Sequence, residues 1–309
     1  MDASADTVKE FTRHTSSYKI PVIDVSGLIS LSSRLKGKVV RFEKIAEALH
    51  LGIKDVKINW KSTGVVPGLY LCFLISKAKE SAKKEHWNDF SRLLAVMIYG
   101  IVLFPSKENF VSLSAICVFM NKNPVLTLLA DTYMSIHSRH GKRGYVVGSC
   151  LPLLYHWFML HLPVKGPLVL KKGSLQWSDR IVNLTSFEIR WNYCVGKVWN
   201  IITSCGQYSN VPLMGTRGCI NYNPTLSYCQ LGYAMEGPPK DAQIAESVYF
   251  ADGKDLMELE KIASAWTKVH KKDQTTLSKK VPIAMGPYRD WIKARVKDLL
   301  LPFAKSDPL

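Results

Sequence analysis

The chain has 309 residues, 47% hydrophobic and 21% charged, proportions that suit one large domain or two ordinary ones around a sizeable core; no repeat or low-complexity segment interrupts it. Forty-one Lys and Arg stand against 25 Asp and Glu, a formal charge of +16, and such a field attracts phosphate backbones, anionic surfaces or acidic partners without dictating a fold. Seven scattered cysteines, an odd count with no C-x-x-C, exclude a disulfide scaffold and read as reduced, buried thiols of a cytosolic or nuclear protein.

Residues 1–37 have weak periodicity and form a poorly structured N-terminal segment, with 20–25 (IPVIDV) a short strand or an extended entry. The polar start, MDASADTVKEFTRHTSS, has no signal-peptide core. Helical spacing begins after Arg41, where Phe42, Ile45, Ala46 and Leu49 recur at i, i+3, i+4, i+7 and Gly52 follows as a stop. A second helix is predicted over 68–84, apolar at its start and Lys-rich at its end, where cations suit the helix dipole. The third has the clearest stripe: Trp87, Phe90, Leu94, Met97, Ile101 and Phe104, ended by Pro105.

Residues 110–120 read as another apolar helix, and Asn123-Pro124 as a cap with proline at the first helical position. Leu126, Leu129, Tyr133 and Ile136 stripe the next helix, closed by Gly141. The stretch 145–164 lacks Asp, Glu, Lys and Arg over twenty residues, a length that would just span a bilayer. It holds two histidines and Pro152, so a buried helix over 149–162 is the better account and no membrane span is predicted.

Residues 166–176 read as a loop or hairpin, and Thr185-Ser186-Phe187-Glu188 as a capping box. Residues 207–233, dense in Gly, Asn, Pro and Tyr, read as ordered loop. A second capping box, Asp255 to Glu258, opens a helix with Leu259, Ile262, Ala263, Trp266 and Val269 on one face, and Pro287 starts a final helix. The expectation is a mainly α, irregular helical domain with a loop-rich segment and at most a few short strands.

Residues for chemistry are sparse. His156 and His161, five apart, share no helix face, and His137 and His140 are crowded by Arg139, Lys142 and Arg143. Cys205, Cys219 and Cys229 are spaced too widely and irregularly for a zinc site, so no metal and no cofactor is assigned. Phosphate loops and G-x-S-x-G elbows are missing. Asp131, Asp179 and Glu188 are the only carboxylates between 109 and 233, too few for a paired-carboxylate or two-metal site. Asp131, among apolar neighbours, reads as a buried hydrogen-bonding group.

Gly215-Thr216-Arg217-Gly218 is a glycine-bracketed turn: it can cradle an anion with backbone N–H groups and Arg217, or simply be a tight turn. The candidate anion or nucleic-acid contacts are Arg139, Lys142, Arg143, Arg217, Lys271 and Lys272, drawn from basic clusters near aromatic residues that could stack bases.

The run LLAVMIYGIVLFPSKENFVSLSAICVFMNKNPVLTLLADTYMSIHSRH is similar to a transposable-element-associated plant family of uncharacterised function. The likeness continues through CLPLLYHWFMLHLP, WSDRIVNLTSFEIRW, NVPLMGTRGCINYNP, QLGYAMEGPP, AWTKVHKK and PYRDWIKARVKDLLLPF, over residues of about 38 to 303, with 304–309 left as a tail. That family looks related to the aminotransferase-like plant mobile domain through Leu153-Leu154-Tyr155-His156-Trp157 and Cys229-Gln230-Leu231-Gly232, where Cys229 replaces the usual Arg. The resemblance implies a nuclear or cytoplasmic protein of mobile-element origin and brings no catalytic set. Despite the "aminotransferase-like" label, no Schiff-base lysine ensemble is legible. Many such relatives carry longer helical N-terminal and charged coiled-coil C-terminal portions, which implies a fragment of an ancestral product.

The leading expectation is therefore a non-catalytic module that binds a partner protein or nucleic acid, with no membrane association. The alternatives are a cryptic enzyme built around Arg217, His156 and Asp131, and a degenerate product without selected activity.

Overall fold

A computed structural model describes residues 41–139, 148–163, 184, 188–190, 200–228, 231–244, 248–251, 256–273, 275–277 and 284–297. The first half runs α1 (Phe42–Leu49), α2 (Ile53–Asn59), β1 (Trp60–Thr63), β2 (Val66–Tyr70), α3 (Leu71–Lys83), α4 (Trp87–Ile98, widening into a π turn over Tyr99–Leu103), β3 (Phe110–Ser112), α5 (Leu113–Met120), α6 (Val125–Arg139) and α7 (Leu151–His161). The second half runs β4 (Asn200–Cys205), β5 (Val211–Met214), β6 (Gly218–Tyr222), 3-10 turns at Pro224–Ser227 and Asp241–Gln243, β7 (Val248–Ala251), α8 (Leu256–Ala265), β8 (Val269–Asp273) and α9 (Gly286–Lys297).

Three antiparallel sheets hold these elements: β1-β2-β3, β4-β8 and β5-β6-β7. Mainly α is therefore the wrong class, since about 53% of the described residues are helical and 19% are strand; the fold is mixed α/β. Several of the missed strands have a physical reason. The helix expected over 68–84 begins at Leu71, because Gly68 belongs to β2, where it faces Ser112 of β3. A Cβ on Gly68 would drive into the Val111 carbonyl oxygen, so the residue that looked like a helix start is the one that lets two strands close up. Likewise 110–120 splits: Phe110–Ser112 is strand, and the Ser112 hydroxyl caps α5 by accepting from the Ala115 N–H at 3.2 Å.

The segment 207–233 was expected to be loop, yet it contains the β5–β6 hairpin. All four residues of β5 are buried, so the alternation that would betray a half-exposed strand is absent. Helix α8 stops at Ala265, and Val269, assigned to that helix face, instead starts β8 opposite Cys205. That pairing partner lies far upstream, where local periodicity cannot register it.

Other expected elements form. Helix α4 and its π turn form over the striped segment and end at Leu103, but the stripe is not the buried face: Trp87, Leu94 and Ile101 are exposed, and Leu93, Val96 and Gly100 are buried beside Met97. Gly100 sits in the π turn against the Val111 side chain, which a Cβ there would strike. The cap at Asn123 is present, its Oδ1 accepting from the Val125 N–H at 3.2 Å. The final helix appears as α9. Helix α7 also forms, but it is not buried: Leu151, Leu153, Tyr155, Trp157 and Met159 are all exposed. Among the described residues no helix is long and apolar enough to cross a membrane. The expectations for 1–37, Gly141, 166–176, Thr185 to Phe187, Asp255 and 304–309 lie outside the described residues.

One apolar cluster joins the two halves, from Ile45 and Leu49 of α1 through Leu93 and Ile116 to Ile220 of β6 and Ile262 of α8. Trp266, 1% exposed, locks its edge by donating from Nε1 to the Pro212 carbonyl at 2.7 Å. Helix α6 lies on β5 and β6, which brings Asp131 to the turn at 215–217.

Candidate functional site

The glycine-bracketed turn binds a carboxyl group of the chain itself, that of Asp131. Asp131 Oδ1 accepts the Thr216 N–H at 2.7 Å and Oδ2 accepts the Thr216 hydroxyl at 2.6 Å. The Arg217 backbone and guanidinium add further attraction to the same carboxyl. Burial nevertheless pushes the Asp131 carboxyl above the usual aspartate value, and these contacts offset it only in part. Gly215 lacks the Cβ that would collide with Asp131 Oδ1, and Gly148 leaves room for the Arg217 guanidinium, whose Nη2 donates to the Pro105 carbonyl at 3.5 Å. The turn is thus tied to α6, as expected of a buried, hydrogen-bonded Asp131. The third residue of the suspected enzyme site, His156, is exposed on α7, and it is not among the groups that act on the Asp131 carboxyl.

The other basic candidates separate. Arg139 ends α6, while Lys142 and Arg143 lie outside the described residues. Lys271 and Lys272 are exposed on β8, next to His270. Side chains alternate along a strand, so the two lysines point to opposite faces of the β4–β8 ribbon. Lys272 pairs in register with Ile201, and its Nζ stands 5.9 Å from the centroid of the Tyr228 ring. Lys271 faces the other way. Among the described residues neither lysine has a carboxylate partner.

Beside Lys272 opens a cavity of about 460 Å³, whose lining includes Tyr228, Tyr233, Glu236, Lys272, Thr275 and Thr276. Tyr228 is half-buried behind the 3-10 turn Pro224–Ser227, which Asn223 caps by accepting the Thr225 N–H at 2.9 Å. The Tyr228 carbonyl in turn accepts the Tyr233 N–H at 2.9 Å, fixing the residue's backbone. Burial pushes the Tyr228 phenol above its ordinary value, so it stays neutral. Next in sequence to Lys272, Asp273 Oδ1 accepts the Thr275 and Thr276 N–H groups, both at 3.0 Å, and both hydroxyls, at 2.6 and 3.0 Å. These bonds hold the Asp273 carboxyl well below its usual value, at about 2. Sequence reasoning missed this cavity. The signal was Lys-Lys-Asp-x-Thr-Thr over 271–276, an Asx-turn pattern directly after a basic strand.

The cysteines and histidines build no centre. Cys72 is exposed and Cys117, Cys150, Cys205 and Cys219 are buried free thiols. Burial pushes Cys205 up to about 12 and Cys219 higher still, the reverse of what a nucleophile needs. Glu258 accepts the Tyr208 hydroxyl at 2.6 Å and is tied up there. His50 Nδ1 lies 2.6 Å from Asp89 Oδ1, a surface contact between α1 and α4. Among the described residues no group of three or more His, Cys, Asp and Glu side chains is placed to hold a metal ion.

Against this geometry, one family model, described as a domain of unknown function (DUF7745), matches residues 23–297. No curated protein and no solved structure matches the chain.

Proposed function

The chain belongs to the DUF7745 family, and from that premise we propose that it is a non-catalytic, mobile-element-derived module that binds nucleic acid through the β4–β8 ribbon. The observation that carries this reading is the strand Val269–Asp273, whose His270, Lys271 and Lys272 are exposed and whose lysines lack a described carboxylate partner. Lysines held by salt bridges would have to break them before meeting a phosphate; these do not. The overall charge of +16 supplies the long-range attraction that brings a polyanion to the ribbon. The likeness to transposable-element-associated proteins supports work inside the cell, in the nucleus or the cytoplasm, where nucleic acid is available.

Recognition of this kind reads phosphates rather than base edges, so it is sequence-tolerant and steeply salt-dependent. The test is fluorescence anisotropy of labelled single-stranded homopolymers titrated with the full chain. We expect affinity to fall by about tenfold or more between 50 and 200 mM salt, and K271A/K272A to weaken binding of every sequence alike. Absence of binding at low salt, or equal binding by the double variant, would overturn the proposal.

A further inference from the structure

We infer that the cavity beside β8 is a subsite for a single nucleotide unit, with the Tyr228 ring as the stacking platform and the Lys272 ammonium as the phosphate contact. This rests on the nucleic-acid reading of the ribbon and names the place where one unit of the polymer would be gripped. Three features of the cavity point the same way. Its volume, about 460 Å³, lies in the range of small-molecule sites. It combines an aromatic ring with an ammonium at 5.9 Å, the pair of groups that single-strand binders set against a base and its phosphate. Among the described residues the ring face alone meets its ammonium, a weak contact at an exposed site; a phosphate oxygen is a stronger partner and would draw the ammonium off the face that the base then covers.

The remaining lining refines the ligand. Thr275 and Thr276, both exposed on the cavity lining, donate their hydroxyl protons to Asp273, which leaves their oxygens free to accept. Ribose hydroxyls are donors of the matching kind. Glu236, exposed at the rim, would repel a run of phosphates but tolerates one, so the occupant is a monophosphate or one link of a strand rather than a triphosphate. Lys271, on the other face of the ribbon, contributes to the polymer and not to this cavity.

The experiment is saturation-transfer NMR and calorimetric titration of the full chain with adenosine 5′-monophosphate, and separately with adenosine and with inorganic phosphate. We expect saturable binding of the nucleotide, and weaker binding of each half alone. Y228L and K272A should each weaken nucleotide binding about tenfold, and Y228F, which keeps the ring, should weaken it less than Y228L does. No nucleotide binding at millimolar concentration, inorganic phosphate binding as tightly as the nucleotide, or indifference to both Y228L and K272A would overturn the subsite. Because Lys272 is exposed, K272A keeps the test meaningful even if Y228L disturbs the fold. Polymer anisotropy separates the two proposals: strands that bind while the mononucleotide does not sink the subsite alone, and the converse sinks only the polymer reading.

Discussion

Asp131 takes its hydrogen bonds from Thr216, 85 positions downstream, and this pair welds α6 to the β5–β6 hairpin. Removing the carboxyl would leave the Thr216 N–H and hydroxyl without their acceptor and take away the group beside the half-buried Arg217, which keeps the Pro105 carbonyl. D131A should therefore cost roughly 3–5 kcal/mol in urea unfolding, the range for breaking a buried charged pair. D131N should cost less, because the Thr216 hydroxyl can turn to accept from the new amide. The two proteins should also differ in pH dependence. The folded-state pKa of Asp131 lies above its ordinary 3.8. Its contribution is therefore fully present below 3.8 and is lost as pH rises through the raised folded value. The stability of wild type relative to D131N should decline as pH climbs from about 3.8, and a flat difference across that window would show the carboxyl to be unperturbed. Half of this was legible in the sequence: a lone aspartate among apolar helix neighbours announces a buried acceptor. Its donor was not, because nothing local links position 131 to position 216.

Helices were readable where one face is apolar and the other polar, as in α1, whose Ile45, Ala46 and Leu49 are buried as spaced, since a 3.6-residue period then stands out. Strands were not, because they are three to six residues long and β5 is buried on both faces. Two segments turned on glycine: Gly68 ended an expected helix in a strand, and Gly100 lets the π turn of α4 approach Val111. Putting a methyl group on Gly68 should open the β2–β3 pairing, where Gly68 faces Ser112. We expect G68A to lose about 3 kcal/mol and to accelerate amide exchange in β3, measured by hydrogen–deuterium exchange; unchanged protection at 110–112 would refute the close approach. Helix α7 shows the opposite failure. Its uncharged, mostly apolar sequence reads as interior, yet Trp157 is 52% exposed and Tyr155 65%. Composition reports what a helix could bury, and the neighbours decide whether it does.

At the scale of the whole molecule, the apolar cluster spans both halves of the chain, so the helical first part and the sheet-rich second part share one interior. Heating should accordingly produce a single transition in which far-UV circular dichroism and tryptophan fluorescence coincide. A fragment of residues 41–139 should lack cooperative melting, having lost the Ile220, Ile262 and Trp266 side of its core. Two separated transitions in the full chain would argue for independent units. The candidate site scales differently. The sequence flagged Lys271 and Lys272 through charge, but Tyr228 and Glu236 join Lys272 only through the fold.

The β4–β8 ribbon has an implication for biosynthesis. Among the described strands Asn200–Cys205 pairs with Val269–Asp273, so a chain emerging at 5–20 residues per second leaves β4 waiting for roughly 4 to 15 s. Throughout that delay Ile201 and Ile202 sit on an unzipped edge able to template pairing with another nascent copy. Ribosome-associated chaperones that shield such edges, or slower crowding of polysomes, should set the yield of native protein more than its final stability does.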